Sequence, residues 1–208
     1  MTSKRPDNGR QVENTLNAQV RDTEQNERFI RLLNHYRHDW MNEIQVLFGY
    51  VKLKKYDKLE DLMEKIKDKI QRESYLAKLG VPELVIYLLS FQAEVKEIAL
   101  RISMEQEIRV NELSVDTNRL LGLVAGIMEA CKENARLFPY AEHALNVSFA
   151  QEADRLLLGF EYSGEMESAR WSSLIGRLRQ KQEKDEVWEH VESDHNQSAI
   201  RIALLLNT

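Results

Sequence analysis

The stretch FIRLLNHYRHDWMNEIQVLFGYVKLKKYDKLEDLMEKIKDKI, Phe29–Ile70, decides the fold. Ile30, Leu33, Trp40, Ile44, Leu47 and Val51 recur at three- and four-residue intervals, broken only by Arg37, and so line one side of a long helix. Lys52–Tyr56 ends that helix. Asp57 then stands where it would N-cap a second one, with apolar positions at Leu59, Leu62, Met63, Ile66, Ile70 and Leu76. Two such helices joined by a short basic turn predict an αα-hairpin. A hairpin cannot enclose its own apolar stripe. Trp40, Leu47 and Ile66 need cover, either from a second copy, which would complete a four-helix bundle, or from the C-terminal half of the chain.

Outward from this stretch the texture changes on both sides. Residues 1–28 read as a flexible N-terminal extension: polar, with sparse apolar positions at Val12, Leu16 and Val20 and at most a marginal helix over Val12–Arg28. Thr2–Arg10 has no apolar run behind it, which argues against a signal peptide. Past Gly80 and Pro82, Glu83–Glu97 reads as a helix, and Leu100, Ile102 and Met104 alternate as in a half-buried strand. Asp116–Phe138 is a helix closed by Pro139. Ala144–Phe149 and Arg155–Tyr162 are strands forming a hairpin around Glu152-Ala153-Asp154. Ala169–Gln180 is helical, Lys181–Asn196 is charged and loop-rich, and Ala199–Leu206 is a final strand. The fold class is therefore α+β: a helical hairpin over residues 29–80, then an α/β domain over 81–208 with helices on one face of a small sheet.

Composition narrows the function classes. With 34 acidic and 29 basic residues in 208, the net charge of -5 argues against nucleic-acid binding through bulk charge. The apolar runs Leu84–Leu89 and Leu120–Cys131 fall short of the ~20 residues a membrane span needs. The single cysteine, Cys131, forms no internal disulfide and, set among Leu, Met and Ala, reads as a core thiol. Together these point to a cytoplasmic protein.

Among five histidines, His38 stands apart by geometry. It lies roughly 130° from the centre of the apolar stripe, on a polar face with Asn34, His35, Asn42 and Gln45. An exposed imidazole on a rigid helix can accept a phosphoryl group, since the unperturbed pKa near 6.5 leaves a neutral nucleophile at physiological pH. Asp39 next door can orient the ring or take its proton, and Asn42, one turn on, can hydrogen-bond the phosphoryl group or a partner. The plainer reading is a surface histidine, which chemistry alone does not displace. His35 and His38 at i, i+3 lack a third nitrogen or sulfur ligand nearby, so no metal site is expected.

Arg37-His38-Asp39-Trp40-Met41-Asn42, with the following Gly49–Asp57, resembles the histidine box and turn of the sporulation-type sensor kinase helical-hairpin family. The resemblance is dense over Phe29–Leu79 and elsewhere lies only in the order of elements. One branch of that family comprises membrane sensor kinases of the citrate and dicarboxylate type, the other soluble dimeric phosphotransferases that relay phosphate between two response regulators. Kinases of the family carry glycine-rich boxes that let backbone approach the phosphates. This chain has eight glycines and no Gly-x-Gly. Glu129–Ala135 resembles the kinase helix whose asparagines hold magnesium, keeping Asn134 but not the asparagine before it; Asn134 reads equally as an ordinary helix residue.

The resemblance thus implies a homodimer with a degenerate kinase-like α/β domain that controls sporulation initiation. His38 would take phosphate from a phospho-aspartate on one response regulator and pass it to another, with Asp39 and Asn42 assisting. Asn34, His35, Arg37 and Gln45 would contact the receivers. It implies no cofactor bound by this chain, magnesium being supplied by the receiver, and neither nucleic acid nor membrane as partner. A soluble autokinase with a divergent ATP site, and a non-catalytic dimeric adaptor for response regulators, are the competing readings.

Overall fold

The computed structural model describes the backbone of residues 8–206, and the side chains of that stretch apart from 8–22 and Gln25. The chain divides into two compact units, Met1–Tyr56 and Asp57–Thr208.

The first unit is one helix, α1 (Asn8–Lys52). No glycine or proline interrupts Arg10–Phe48, so nothing in the sequence breaks it. Residues 8–28, read as a flexible extension holding at most a marginal helix, are helical in backbone from Asn8 onward. The helix closes on Lys54, whose φ of 53° is left-handed. The Lys55 N–H donates to the Tyr50 carbonyl at 3.0 Å and the Lys54 N–H to that of Val51 at 3.1 Å, the paired bonds of a Schellman closure. Lys52, Lys54 and Lys55 also place positive charge at the negative end of the helix dipole.

The second unit opens one residue into α2 (Tyr56–Ala77). Asp57 therefore sits in its first turn instead of capping it, because the tight closure at Lys54 lets the new helix start two residues early. Leu76 and Leu79 at its far end are buried in the hydrophobic core. Gly80 (φ 77°) turns the chain there. A Cβ on it would lie 1.9 Å from Asn111 Oδ1, so a short 3-10 turn (Val110–Glu112) can approach and donate the Val110 N–H to the Leu79 carbonyl at 2.9 Å. Pro82 opens α3 (Pro82–Glu94) from its first turn.

The rest is a five-stranded sheet with helices on one face. Strands β1 (Ala99–Met104), β2 (Ala144–Gln151), β3 (Arg155–Ser163), β4 (Glu186–Ser193) and β5 (Gln197–Leu205) lie in the order β1-β2-β3-β5-β4. β1 and β2 are parallel and the other pairs antiparallel. A parallel pair needs a crossover, which α4 (Thr117–Ala135) supplies. Asp116 caps α4, its carboxylate accepting from the Asn118 and Arg119 N–H groups. Alternate residues Leu145, Val147 and Phe149, then Leu156, Leu158 and Phe160, and Ile200 and Ile202, point into one core with Leu120, Val124, Ile127, Met128 and Cys131 of α4. α5 (Ser168–Gln180) adds Trp171 and Ile175 to the same core.

The segment expected to be loop-rich, Lys181–Asn196, instead contains the edge strand β4. Only Glu186 and Trp188 of its side chains are buried; Glu189, His190 and Glu192 face water, a charged edge that discourages pairing with other chains. Glu186 is held by Arg119, which donates from Nε and, at 2.9 Å, from Nη2.

Candidate functional site

Every residue of the His38 neighbourhood is placed by the helical periodicity of α1. Taking His38 as origin, Asn42, Gly49, Gln45 and Asn34 fall within about 40° of it, a polar strip running along the helix. The less exposed side chains Leu32, Tyr36, Asp39, Glu43, Leu47 and Tyr50 cluster near 130°. The large apolar residues Leu33, Trp40, Met41, Ile44, Phe48 and Val51 cluster near 240° and are exposed, Leu33 to 53% and Ile44 to 52%. The stripe that betrayed the helix in the sequence is thus mostly open to water in the single chain, with Leu47 alone half-buried. His38 lies about 120° from both clusters, so neither one would cover it.

The His38 side chain is 75% exposed. Its contacts run through Nδ1, which faces Asn42 Nδ2 at 3.2 Å and Asp39 Oδ1 at 4.0 Å. A half-turn of that amide, which exchanges its oxygen and nitrogen without steric change, lets its oxygen accept from Nδ1–H. An anionic oxygen facing the same nitrogen favours a proton there. Nε2 then carries the lone pair, on a side chain open to solvent. Such an arrangement can attack an electrophilic phosphorus in line, with the new positive charge on the ring compensated from the Nδ1 side.

The remaining predicted contacts divide. Asn34, Gln45 and Arg37 are exposed, the first two on the polar strip and Arg37 beside the exposed apolar residues. His35 is half-buried, with Nε2 3.6 Å from Asp39 Oδ2 and its ring edge-on to Tyr36, and so turns toward Asp39 more than outward. Among the described residues no group of three His, Cys, Asp or Glu side chains is placed to hold a metal ion.

Asn134, which resembles a kinase magnesium ligand, is committed elsewhere. It is 3% exposed, and its Nδ2 donates to the Tyr162 hydroxyl at 2.9 Å and to the Glu165 carbonyl at 2.8 Å. Its Oδ1 accepts from the Glu167 N–H at 3.2 Å. No lone pair is aimed at solvent, so the residue does not fit a metal. Beyond it the Tyr162 O–H donates to His143 Nδ1 at 2.7 Å, and His143 Nε2–H donates to the Phe138 carbonyl at 2.9 Å. His143 and Trp171 stack on either side of Tyr162, with ring centroids 5.8 and 5.7 Å away. Burial pushes the Tyr162 phenol up to about 12, against the opposing pull of the Asn134 hydrogen bond. Cys131, wholly buried, has its thiol pushed up by the same desolvation and is no nucleophile.

Residues 15–79 match the family model of the sensor kinase SpoOB-type, alpha-helical domain. Over 105 residues, 50% of this chain, the sequence is 32% identical to sporulation initiation phosphotransferase B of Bacillus subtilis (strain 168). The match spans 54% of that protein, so the chain covers about half the length of the relative. Among solved structures the Acinetobacter baumannii histidine kinase AdeS is similar with TM-score 0.45 and 10% identity over 82% of this chain and 98% of that one. The catalytic domain of histidine kinase ThkA gives 0.44 and 10% over 61% and 92%. ThkA in complex with response regulator protein TrrA gives 0.43 and 12% over 90% and 66%. No described helix is long and apolar enough to cross a membrane.

Proposed function

We infer that this chain, similar to sporulation initiation phosphotransferase B and carrying the SpoOB-type helical domain, is a phosphotransferase of a two-component phosphorelay that controls sporulation initiation. The observation that carries the reading is His38: exposed, on a polar strip clear of both the less exposed face and the exposed apolar face, with Nδ1 engaged by its own helix and Nε2 free. In the forward step the Nε2 lone pair attacks the phosphorus of a receiver phospho-aspartate. The N–P bond forms as the P–O bond to the aspartyl carboxylate breaks, and the proton stays on Nδ1, its charge offset by Asp39. Reversal onto a second receiver completes the relay. Acyl phosphate and phosphoramidate have comparable transfer potential, so no ATP enters this step, and the protein supplies mainly positioning. Magnesium belongs to the receiver in this scheme, since Asn134 is unfit to hold it.

Two copies packed through the exposed α1 stripe and through Met63 and Ile70 of α2 would form a four-helix bundle that buries both. Each His38 would stay on the outer surface, with Asn34, Arg37 and Gln45 available to a receiver. The test is nucleotide-free transfer from a radiolabelled, phosphorylated receiver domain to the purified chain. Acid-labile label should appear on the wild type and vanish in His38→Ala, whose stability should differ by no more than about 0.5 kcal/mol, as is usual for a surface change. Undiminished labelling of His38→Ala would overturn the assignment. Labelling that requires ATP would replace the relay with an autokinase.

A further inference from the structure

The sheet has two edges, and they are finished differently. β4 carries Glu189, His190 and Glu192 outward and is bulged between Trp188 and His190. Charges and bulges of this kind stop an edge from pairing. β1 is not blunted in this way. It pairs with β2 in unbroken register from Ala99 to Met104, holds no proline and bears one charge, Arg101.

The Ala99 N–H donates to the His143 carbonyl at 2.8 Å, so the peptide groups of Ala99, Arg101 and Ser103 turn to β2. By alternation those of Leu100 and Ile102 turn to the open side, where no described residue bonds to them. Beside this edge lies a slot of about 260 Å³ floored by Leu76 of α2, Leu89 of α3 and the half-buried Leu100 and Ile102. That is below the roughly 300–1,000 Å³ of a small-molecule site and suits a side chain. Lys69 and Glu73 line the slot with opposite charges, leaving Arg72 and Arg101 as its net charge. Among the described residues neither arginine has an ion-pair partner.

A strand added to β1 would lie about 4.8 Å away, with alternate side chains on the two faces. Residues opposite Leu100 and Ile102 would share their face and the slot. One opposite Arg101 would stand on the face without helices, within cross-strand reach of the guanidinium.

We propose that β1 is a recognition edge that takes up, as an added strand, an extended segment of a partner protein in which apolar and acidic residues alternate. Backbone bonds to Leu100 and Ile102 supply affinity, the slot takes an apolar side chain, and Arg72 and Arg101 select acidic neighbours. A second copy of β1 fits less well, since pairing centred on Arg101 sets two guanidiniums opposite each other. The inference does not depend on His38.

The probe is a short fluorescent peptide alternating valine with glutamate, titrated into the full chain and followed by anisotropy. Amide hydrogen exchange of the ¹⁵N-labelled protein, read by NMR, locates it. The peptide should bind saturably and slow exchange at Leu100 and Ile102, whereas a peptide with lysine in place of glutamate should do neither. N-methylation of the alternate peptide amides that face β1 should abolish binding. Arg72→Ala and Arg101→Ala should each weaken it roughly two- to fivefold, the scale of an exposed charge pair. Ile102→Pro removes an outward N–H and leaves the ladder to β2 intact, so binding should be lost while circular dichroism stays native. Should that variant unfold, the N-methylated peptide decides. No saturable binding, equal affinity for the lysine peptide, undiminished binding of the N-methylated one, or protection at β4 instead of β1 would overturn the proposal. Protection of Leu100 and Ile102 that grows with protein concentration alone would assign the edge to a second copy and equally overturn it.

Discussion

Replacing Asn134 with alanine separates a structural amide from a relic metal ligand. The side chain makes three internal hydrogen bonds, to the Tyr162 hydroxyl, the Glu165 carbonyl and the Glu167 N–H. At about 1 kcal/mol net for each bond, their loss comes to about 3 kcal/mol. Two of the orphaned partners are backbone groups entering α5, so water can recover only part of this. Set against a total stability of about 5–15 kcal/mol, the variant should stay folded but melt roughly 6–12 °C lower. Asn134→Asp keeps the acceptor toward Glu167 but turns an oxygen on the Tyr162 oxygen and the Glu165 carbonyl, and should cost at least as much. Urea denaturation by circular dichroism measures both, and phosphotransfer by the still-folded fraction should be unchanged, because Asn134 touches no reacting group of the proposed site. A loss below about 1 kcal/mol, or a millimolar magnesium or nucleotide affinity that disappears with Asn134, would refute the structural role.

If two copies pair through the exposed face of α1 as proposed, Ile44→Glu should leave the chain monomeric in light scattering while far-UV circular dichroism stays helical; a wild-type chain that is already monomeric at micromolar concentration defeats the bundle. Arg119→Ala strands the buried Glu186 carboxylate and should cost roughly 3–5 kcal/mol in urea, whereas Arg119→Met with Glu186→Leu should recover much of it. A single-variant cost under about 1 kcal/mol would show that the pair is not what fixes β4 to α4. Because the folded Tyr162 phenol titrates at about 12, above the usual 10 for tyrosine, its contribution is present below pH 10 and lost as pH rises toward 12. The urea midpoint should fall across that window, and Tyr162→Phe should flatten the fall; an identical fall in the variant would exclude Tyr162 as its source.

What was legible in the sequence follows the range over which each feature is written. The spacing of Leu33, Trp40 and Ile44 carries the helix, and the angular offset of His38 carries the candidate nucleophile, both within a few turns of one element. β2 and β3 alternate along most of their length and were equally visible, as was β5, which alternates up to Ile202 before Ala203 and Leu204 are buried in succession. β4 was not, because Trp188 is its lone large buried residue and the alternate positions Glu189 and His190 look like a solvated loop. The first turn of α2 was misplaced for a local reason, the left-handed Lys54, where no glycine announces the stop. His35 read as an outward contact because residue type does not reveal that its ring leans on Asp39. The commitment of Asn134 depends on Tyr162, Glu165 and Glu167, about thirty positions away, and no local pattern encodes it.

The end of α2 bears on how the chain can be cut. Gly80 and Pro82 look like a seam, yet Leu76 and Leu79 just before them are embedded in the core of the α/β domain. Lys78 reaches Glu107 at 2.7 Å, and the Leu79 carbonyl takes the Val110 N–H. A fragment ending at residue 80 would carry two stranded leucines into water, and the remainder would keep a matching hole. The histidine-bearing helices and the sheet therefore cannot be traded as independent cassettes at that position. A graft that preserves both pieces has to be spliced farther back, above Leu76, where α2 has not yet entered the core.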